Sequence, residues 1–193
     1  IGVGGMGWGD INSLKSHPGT QIVAICDVDS GNLAKAAALI PGVRTYSDWR
    51  EMFAKEGGRI DSVNVSVPDH NHAVIAAAAL RLGKHVYCQK PLCHEISDCR
   101  LLRDLAKAKG LTTQLGTQFA AGKGDRLAIA YLKSGVLGTI QHVYLFSIRS
   151  GVSRTVFDRP PQPAPVPASL NWDVWLGTAP SRPYAPKVYH LLL

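Results

Sequence analysis

Short apolar runs alternate along the chain with longer amphipathic stretches, and the alternation begins at the first residue. Ile1-Gly2-Val3 closes one apolar strand, and Gln21 to Cys26 forms a second. Between them, Met6 to Ser16 has helical spacing, and His17-Pro18-Gly19 breaks it. Ser30 is the expected N-cap of a helix reaching Leu39, stopped by Pro41-Gly42, and Val43 to Tyr46 is a short strand. Ser47 is expected to cap the next helix, which places Trp49, Met52 and Phe53 on one face and ends at Gly57-Gly58. Ser62 to Val67 alternates as a strand and runs into Pro68. A helix from His72 to Leu82 follows, with Val74, Ile75, Ala78, Ala79 and Leu82 as its buried stripe and Gly83 as its C-cap. His85 to Gln89 then reads as a strand, Ile96 to Lys109 as a long helix, and Leu111 to Leu115 as another strand.

Strands and helices in this alternation predict an α/β fold with a doubly wound parallel sheet. Right-handed crossovers gather the strand ends along one edge of that sheet, where ligands bind. Near Thr117 the pattern changes. Gly122-Lys123-Gly124 interrupts the chain, Arg126 to Lys133 is helical, and Thr139 to Ser150 alternates through His142, Tyr144 and Phe146 as one long strand. Pro160, Pro161, Pro163, Pro165 and Pro167 exclude regular structure after it. Trp172 to Gly177 begins an element whose packing partners the sequence does not reveal. With Ile1 already inside a strand and no initiator methionine, the chain reads as a fragment.

The first turn carries the chemistry. Gly2-Val3-Gly4-Gly5-Met6-Gly7 is a G-x-G-x-x-G sequence between strand and helix, and Asp27 closes the next strand 20 positions past Gly7. Together these form the fingerprint of a dinucleotide-binding βαβ unit. Gly2 permits the tight turn, Gly4 lets backbone approach a pyrophosphate, and Gly7 lets the helix pack close to the strand. The helix N-terminus then faces the phosphates. Asp27 can accept both hydroxyl protons of the adenosine ribose, whereas a 2′-phosphate would be repelled, so NAD is favoured over NADP. Asp29, two residues further on, is expected to help start the following helix.

Composition narrows the function classes. The 193 residues are 46% hydrophobic and 18% charged, enough for a globular core, and no apolar run approaches the length of a membrane span. The net charge is +7, but Lys15, Lys35, Arg44, Lys55, Arg81, Lys107 and Lys133 are scattered, which argues against nucleic acid. Cys26, Cys88, Cys93 and Cys99 have neither metal-site nor redox-motif spacing, so free thiols, a reducing cytoplasmic setting and no metal are expected.

Two further strand ends should reach the ligand edge. Lys90, in Cys88-Gln89-Lys90-Pro91, can project a cation toward the crevice and bond a substrate hydroxyl or its oxyanion. His72, four residues after Pro68, sits near a helix start. A histidine there serves as readily as a local hydrogen bonder as it does in a cofactor or substrate site.

With these residues in place, the chain resembles the glucose–fructose oxidoreductase, inositol dehydrogenase and rhizopine-catabolism family (Gfo/Idh/MocA). The resemblance rests on the glycine turn, Asp27, Pro68-Asp69-His70-Asn71-His72, Gly83-Lys84-His85-Val86, Lys90-Pro91 and Asn171-Trp172-Asp173-Val174-Trp175-Leu176-Gly177. It implies a Rossmann NAD-binding domain over residues 1–120. Residues 121–193 would begin a second α/β (α+β) domain for substrate and oligomer contacts. It implies hydride transfer between NAD and a sugar or polyol hydroxyl, with Lys90 of the family's Glu-Lys-Pro motif assisting the proton, and a homo-oligomer at full length. Gln89 replaces the glutamate of that motif, as in a Gln-Lys-Pro subgroup that this chain resembles, and leaves Lys90 without the carboxylate neighbour that the motif implies. The implied cofactor contacts are Gly2, Gly4, Gly5, Met6, Gly7, Asp27, Pro68, His72, Gln89, Lys90 and Pro91. The family's active-site Asp and His come from a stretch beyond this chain, so the fragment itself is expected to bind NAD without full activity. Two other readings stay open: an NAD-dependent glycosidase with transient oxidation, and a non-catalytic NAD(H)-binding module.

Overall fold

The structure is a computed structural model that describes residues 1–146 and 162–186. Its helices are α1 (Gly5–Lys15), α2 (Ser30–Ala38), α3 (Trp49–Glu56), α4 (Asp69–Arg81), α5 (Ile96–Lys109), α6 (Lys123–Ser134) and α7 (Trp172–Leu176). The strands are β1 (Ala24–Cys26), β2 (Arg44–Tyr46), β3 (Ser62–Val65), β4 (His85–Gln89) and β5 (Thr113–Gly116). β1 pairs with β2, and β3, β4 and β5 pair in that order, all parallel.

The N-terminal segment joins these two ladders. The Ile1 nitrogen donates to the Asn64 carbonyl (2.7 Å) and the Ser66 N–H to the Ile1 carbonyl (2.8 Å). On its other side, the Gly2 N–H donates to the Cys26 carbonyl (2.8 Å). The lateral order is therefore β2, β1, the N-terminal segment, β3, β4, β5. The strand order reverses at that segment, which creates a crevice just beyond its carboxyl end.

Both faces are covered, as successive strand residues point to opposite sides. Ile25 joins Val3, Ile11 and Ala36 in one core, between the sheet and the α1–α2 layer. Cys26 joins the larger core on the other face, with Phe53, Val63, Val65, Ile75, Leu80, Val86 and Leu102. Asn64 and Ser66 fall on the α1 side because Val63 and Val65 face the larger core.

Several boundaries differ from the sequence reading. Asp29 rather than Ser30 caps α2, its Oδ1 accepting from the Gly31 (2.7 Å) and Asn32 (3.2 Å) N–H groups. Asp48 rather than Ser47 caps α3, through the Arg50 N–H (2.8 Å). In each pair a serine adjoins an aspartate, and the charged acceptor makes the stronger bond. α4 starts at Asp69, and its buried face is Asn71, His72, Ile75, Ala76, Ala77, Ala79 and Leu80, whereas Leu82 is half exposed. This alanine-rich helix touches α5 as well as β3 and β4, so it buries a wider arc than one stripe. Among the helices of the sequence reading, Ile96–Lys109 has the observed bounds, closed by Gly110 in the left-handed region (φ +62°).

Two compact units result. One is Ile1–Gly116 together with the segment from Ala164; the other is Thr117–Pro163. The chain from Ala164 thus returns to the first unit instead of continuing one later domain from residue 121. In the second unit, residues 139–146 form no strand. His142, Tyr144 and Phe146 still lie on one side, with ring centroids 6.4 Å apart in sequence, but no ladder partner occurs among the described residues. Residues 147–150, Pro160, Pro161 and the tail from Tyr189 lie outside the described residues.

Candidate functional site

The glycine turn is built by steric exclusion. Gly2 adopts φ +79°, and a Cβ there would fall 2.4 Å from the Ser66 carbonyl oxygen. A Cβ on Gly7 would fall 1.9 Å from the Gly2 carbonyl oxygen, so α1 rests directly on the turn. A Cβ on Gly4 would meet the Asn32 side-chain amide at 2.6 Å. Gly4 is the N-cap of α1 and no side chain caps that end. Gly5 and Met6 are exposed at the start of the helix, while Gly7 is buried. The turn thus presents a helix start without a Cβ wall, a cradle suited to a phosphate group.

Asp27 braces this turn. Its Oδ2 accepts from the Val3 N–H (2.8 Å) and the Gly4 N–H (3.3 Å), and its Oδ1 accepts from the Asp29 N–H (2.8 Å). A carboxylate has about four lone-pair positions, so acceptor capacity remains for a ligand hydroxyl. Asp27, Gly2, Gly4 and Pro68 all line one cleft at the crevice. Its other walls are mainly apolar: Val28, Trp49, Val67, Ile75, Val174 and Trp175. Cys26 also lines it, and burial pushes its thiol up to about 12, which keeps it protonated and unreactive.

Lys90 is exposed at the end of β4, and the Lys90–Pro91 peptide is cis. His72 lies behind this turn, only 1% exposed. Its Nδ1 is 2.6 Å from the Pro91 carbonyl oxygen and its Nε2 is 2.8 Å from the Val67 carbonyl oxygen. The imidazole therefore ties the Lys90–Pro91 turn to the Val67–Pro68 loop, as an internal bracket rather than a cleft wall.

Gln89 is also buried, and its Nε2 donates to both carboxylate oxygens of Asp10 (3.2 and 3.0 Å). Asp10 Oδ2 accepts from Ser66 Oγ (2.6 Å) and Asn64 Nδ2 (3.3 Å) as well. One acid on α1 thus ties the ends of β3 and β4 to the helix that carries the glycine turn. Position 89 does have a carboxylate neighbour, supplied by α1. The signal in the sequence was that Asn64 and Ser66 share one side of an alternating strand and that Gln89 ends an apolar run.

The Pro-Asp-His-Asn-His sequence holds α7 in place. His70 Nε2 and Asn71 Nδ2 each lie 2.8 Å from the Trp175 carbonyl oxygen, and Thr178 Oγ1 donates to the His70 carbonyl (3.0 Å). At the other end of this segment, Ser30 N–H donates to the Ser169 carbonyl (2.8 Å) and Asn171 N–H to the Val28 carbonyl (2.9 Å). Trp172 stacks on Trp175 with centroids 4.6 Å apart. Among the cleft residues to which the sequence reading assigned no task are Asn32, Asn71 and Trp175; Asn71 and Trp175 lay inside quoted motifs.

The parallel sheet, the Cβ-free helix start and the acid closing β1 together define a dinucleotide-binding Rossmann domain. Residues 1–117 match the model of GFO_IDH_MocA, the oxidoreductase family with an NAD-binding Rossmann fold, and the chain belongs to that family. It is 31% identical over 107 residues to levoglucosan dehydrogenase of Pseudarthrobacter phenanthrenivorans, covering 55% of this chain and 27% of that one. A glycosyl hydrolase family 109 protein of a Shewanella species is 26% identical over 161 residues, 77% of this chain and 35% of that protein. The crystal structure of myo-inositol 2-dehydrogenase from Lactobacillus plantarum superposes with a TM-score of 0.66 at 26% identity, over 72% of this chain and 41% of that one. The chain thus spans about a third of the length of these curated relatives. Among the described residues no cluster of His, Cys, Asp and Glu is arranged to hold a metal ion, and no helix is long and apolar enough to cross a membrane.

Proposed function

We propose that this chain is the cofactor-binding part of an oxidoreductase that oxidises a sugar or polyol hydroxyl, with NAD preferred over NADP. The observation that carries the reading is the glycine cradle braced by Asp27 at the switch point of the sheet. Gly2, Gly4 and the start of α1 would hold the pyrophosphate, Asp27 the adenosine ribose, and Pro68 the cofactor's edge. When bound, nicotinamide supplies the hydride acceptor. The chain's own task beside it falls to Lys90, which would bond the substrate oxygen and move its proton as the C–H bond is broken. Lys90 is flanked by two anchored residues, Pro91 held through its carbonyl by His72 and Gln89 held by Asp10.

The test uses the full-length protein that contains this chain. NADH formation is measured with a panel of sugars and polyols, and Lys90→Met is compared with the unaltered enzyme. The expected loss in kcat is on the order of a hundredfold, the usual scale for a positioned acid–base group. A rate within about threefold of the original removes Lys90 from the chemistry.

The alignment that covers most of this chain, with a glycosyl hydrolase family 109 protein, supports a second reading. There the same hydride step would be transient and the net reaction glycosidic cleavage. Sugar release without net NADH formation distinguishes it.

A further inference from the structure

Asp10 is the one acid of α1, and it does not cap the helix. It lies less than two turns beyond Gly4, past the first turn where a carboxylate gains from the helix dipole. The donors on the sheet beneath account for it. Gln89 Nε2 reaches both of its carboxylate oxygens (3.2 and 3.0 Å), and Ser66 Oγ (2.6 Å) and Asn64 Nδ2 (3.3 Å) reach Oδ2. Gln89 is 3% exposed, and its Oε1 has no hydrogen-bond partner among the described residues. That oxygen lies against Gly116, where a Cβ would meet it at 2.8 Å. Turning the amide over would set Oε1 against the carboxylate, so the charge on Asp10 selects one orientation of the Gln89 side chain.

We propose that Asp10 is a positioning residue for hydride transfer, tying the helix whose start holds the cofactor's phosphates to the strand end that precedes Lys90. This deepens the function proposed above and rests on it. The cofactor and the proton-moving lysine are held by different elements, α1 and the end of β4. β3 lies between β4 and the segment that leads into α1, so no ladder bond joins the two. The Gln89–Asp10 bonds link them directly. Hydride transfer asks for reacting atoms about 3–3.5 Å apart, and a misplacement of about 1 Å costs on the order of a hundredfold in rate. Phosphate binding asks only for the turn and the helix start, which Asp27 braces separately. Loss of the tie therefore belongs in kcat and not in cofactor affinity.

The test uses the full-length protein that contains this chain, with kcat measured on a substrate from the panel above, NAD affinity by calorimetry and folding by circular dichroism. Asp10→Asn turns one acceptor into a donor facing the Gln89 amide, and Gln89→Met removes the tie from the other side, so the test does not depend on one variant folding. Each is expected to lower kcat by about tenfold or more. NAD affinity should change by less than about threefold. Combining Asp10→Asn with Gln89→Glu exchanges amide and carboxylate: the amide at 10 can donate to the carboxylate at 89 while its oxygen still accepts from Ser66 Oγ. This double variant should recover kcat to within about threefold of the unaltered enzyme. Asn64→Ala removes another donor to Asp10 and spares the Gln89 bonds, so it should lower the melting temperature and keep kcat within about twofold. Single variants that keep kcat within about threefold, or a double variant no faster than they are, overturn the positioning role. A kcat loss in Asn64→Ala equal to that in Asp10→Asn overturns it as a stability effect, and NAD affinity falling in step with kcat overturns it in favour of phosphate binding. Lys90→Met separates the two levels. If it abolishes turnover while the Asp10 and Gln89 variants do not, the proposed function stands and this inference fails; if it is active, both fail.

Discussion

Asp27 shows how much one side chain does here. Three backbone N–H groups converge on its carboxylate, so it shapes the turn, and in the proposed function it also selects NAD over NADP. Asp27→Ala is expected to weaken NAD by about 1.5–3 kcal/mol through loss of a charge-assisted bond, to leave NADP less affected, and so to shift the affinity ratio by at least about tenfold. Titration of both cofactors by calorimetry checks this; an unchanged ratio refutes the selective role. The thiols give a second residue-scale outcome. Burial pushes Cys26 and Cys88 up to about 12, and burial with a hydrogen bond to Cys99 does the same for Cys93. Iodoacetamide at neutral pH should therefore label only Cys99 in the folded chain, and mass spectrometry that finds rapid labelling of Cys88 would contradict the buried core.

At the scale of elements, polar residues fasten helices to the sheet where apolar contacts cannot set the register. Gln89 donates to Asp10, so Gln89→Glu would place two carboxylates together in a half-buried site. The variant should be destabilised by about 1–3 kcal/mol at neutral pH, and less so in acid, where one carboxyl can take up a proton. Thermal melts across pH test the sign: a stability deficit that shrinks as pH rises would exclude the assigned contact. Glu56, at the end of α3, titrates in the opposite direction. The Tyr46 hydroxyl (2.7 Å) and the Arg44 guanidinium (2.6 Å) hold its carboxyl below the usual range. Its contribution is present above the unfolded value of about 4.3 and is lost as pH falls through the lower folded value. Glu56→Gln should accordingly flatten the acid limb of the stability curve.

At the scale of the whole molecule, the two compact units differ in what covers their apolar residues. The first is covered on both sheet faces. In the second, Leu127, Tyr131 and Leu132 of α6 are more than half exposed, and Leu145 is 97% exposed. Exposed apolar side chains in this number favour association. The 193-residue chain is expected to self-associate with rising concentration, and Leu145→Lys combined with Val143→Lys should reduce it; sedimentation velocity measures the outcome. The shorter piece that the alternating pattern suggests, ending near Thr117, would lack the α7 segment that walls the cleft.

Periodicity and turn residues in the sequence were enough for most of this architecture. Alternating strands and helices specified a parallel doubly wound sheet, because local hydrophobic spacing and a right-handed crossover leave little other choice. Gly2, Gly4, Gly7 and Asp27 were legible as well, since turn, cradle and acid lie close together in the chain. The rest depended on contacts between distant residues. Which of two adjacent caps starts a helix, which arc of an alanine-rich α4 is buried, and where an amide at 89 finds its carboxylate are set by neighbours that spacing does not reveal. His72 needed the carbonyls of Val67 and Pro91 before it could be placed as a bracket. The return of residues 164–186 to the first unit is the clearest case. Asn171, Trp175 and Gly177 stood in a visible motif, but only the folded chain shows that Val28, His70 and Asn71 wait for them across the crevice, because hydrogen bonds over such separations leave no period in the sequence.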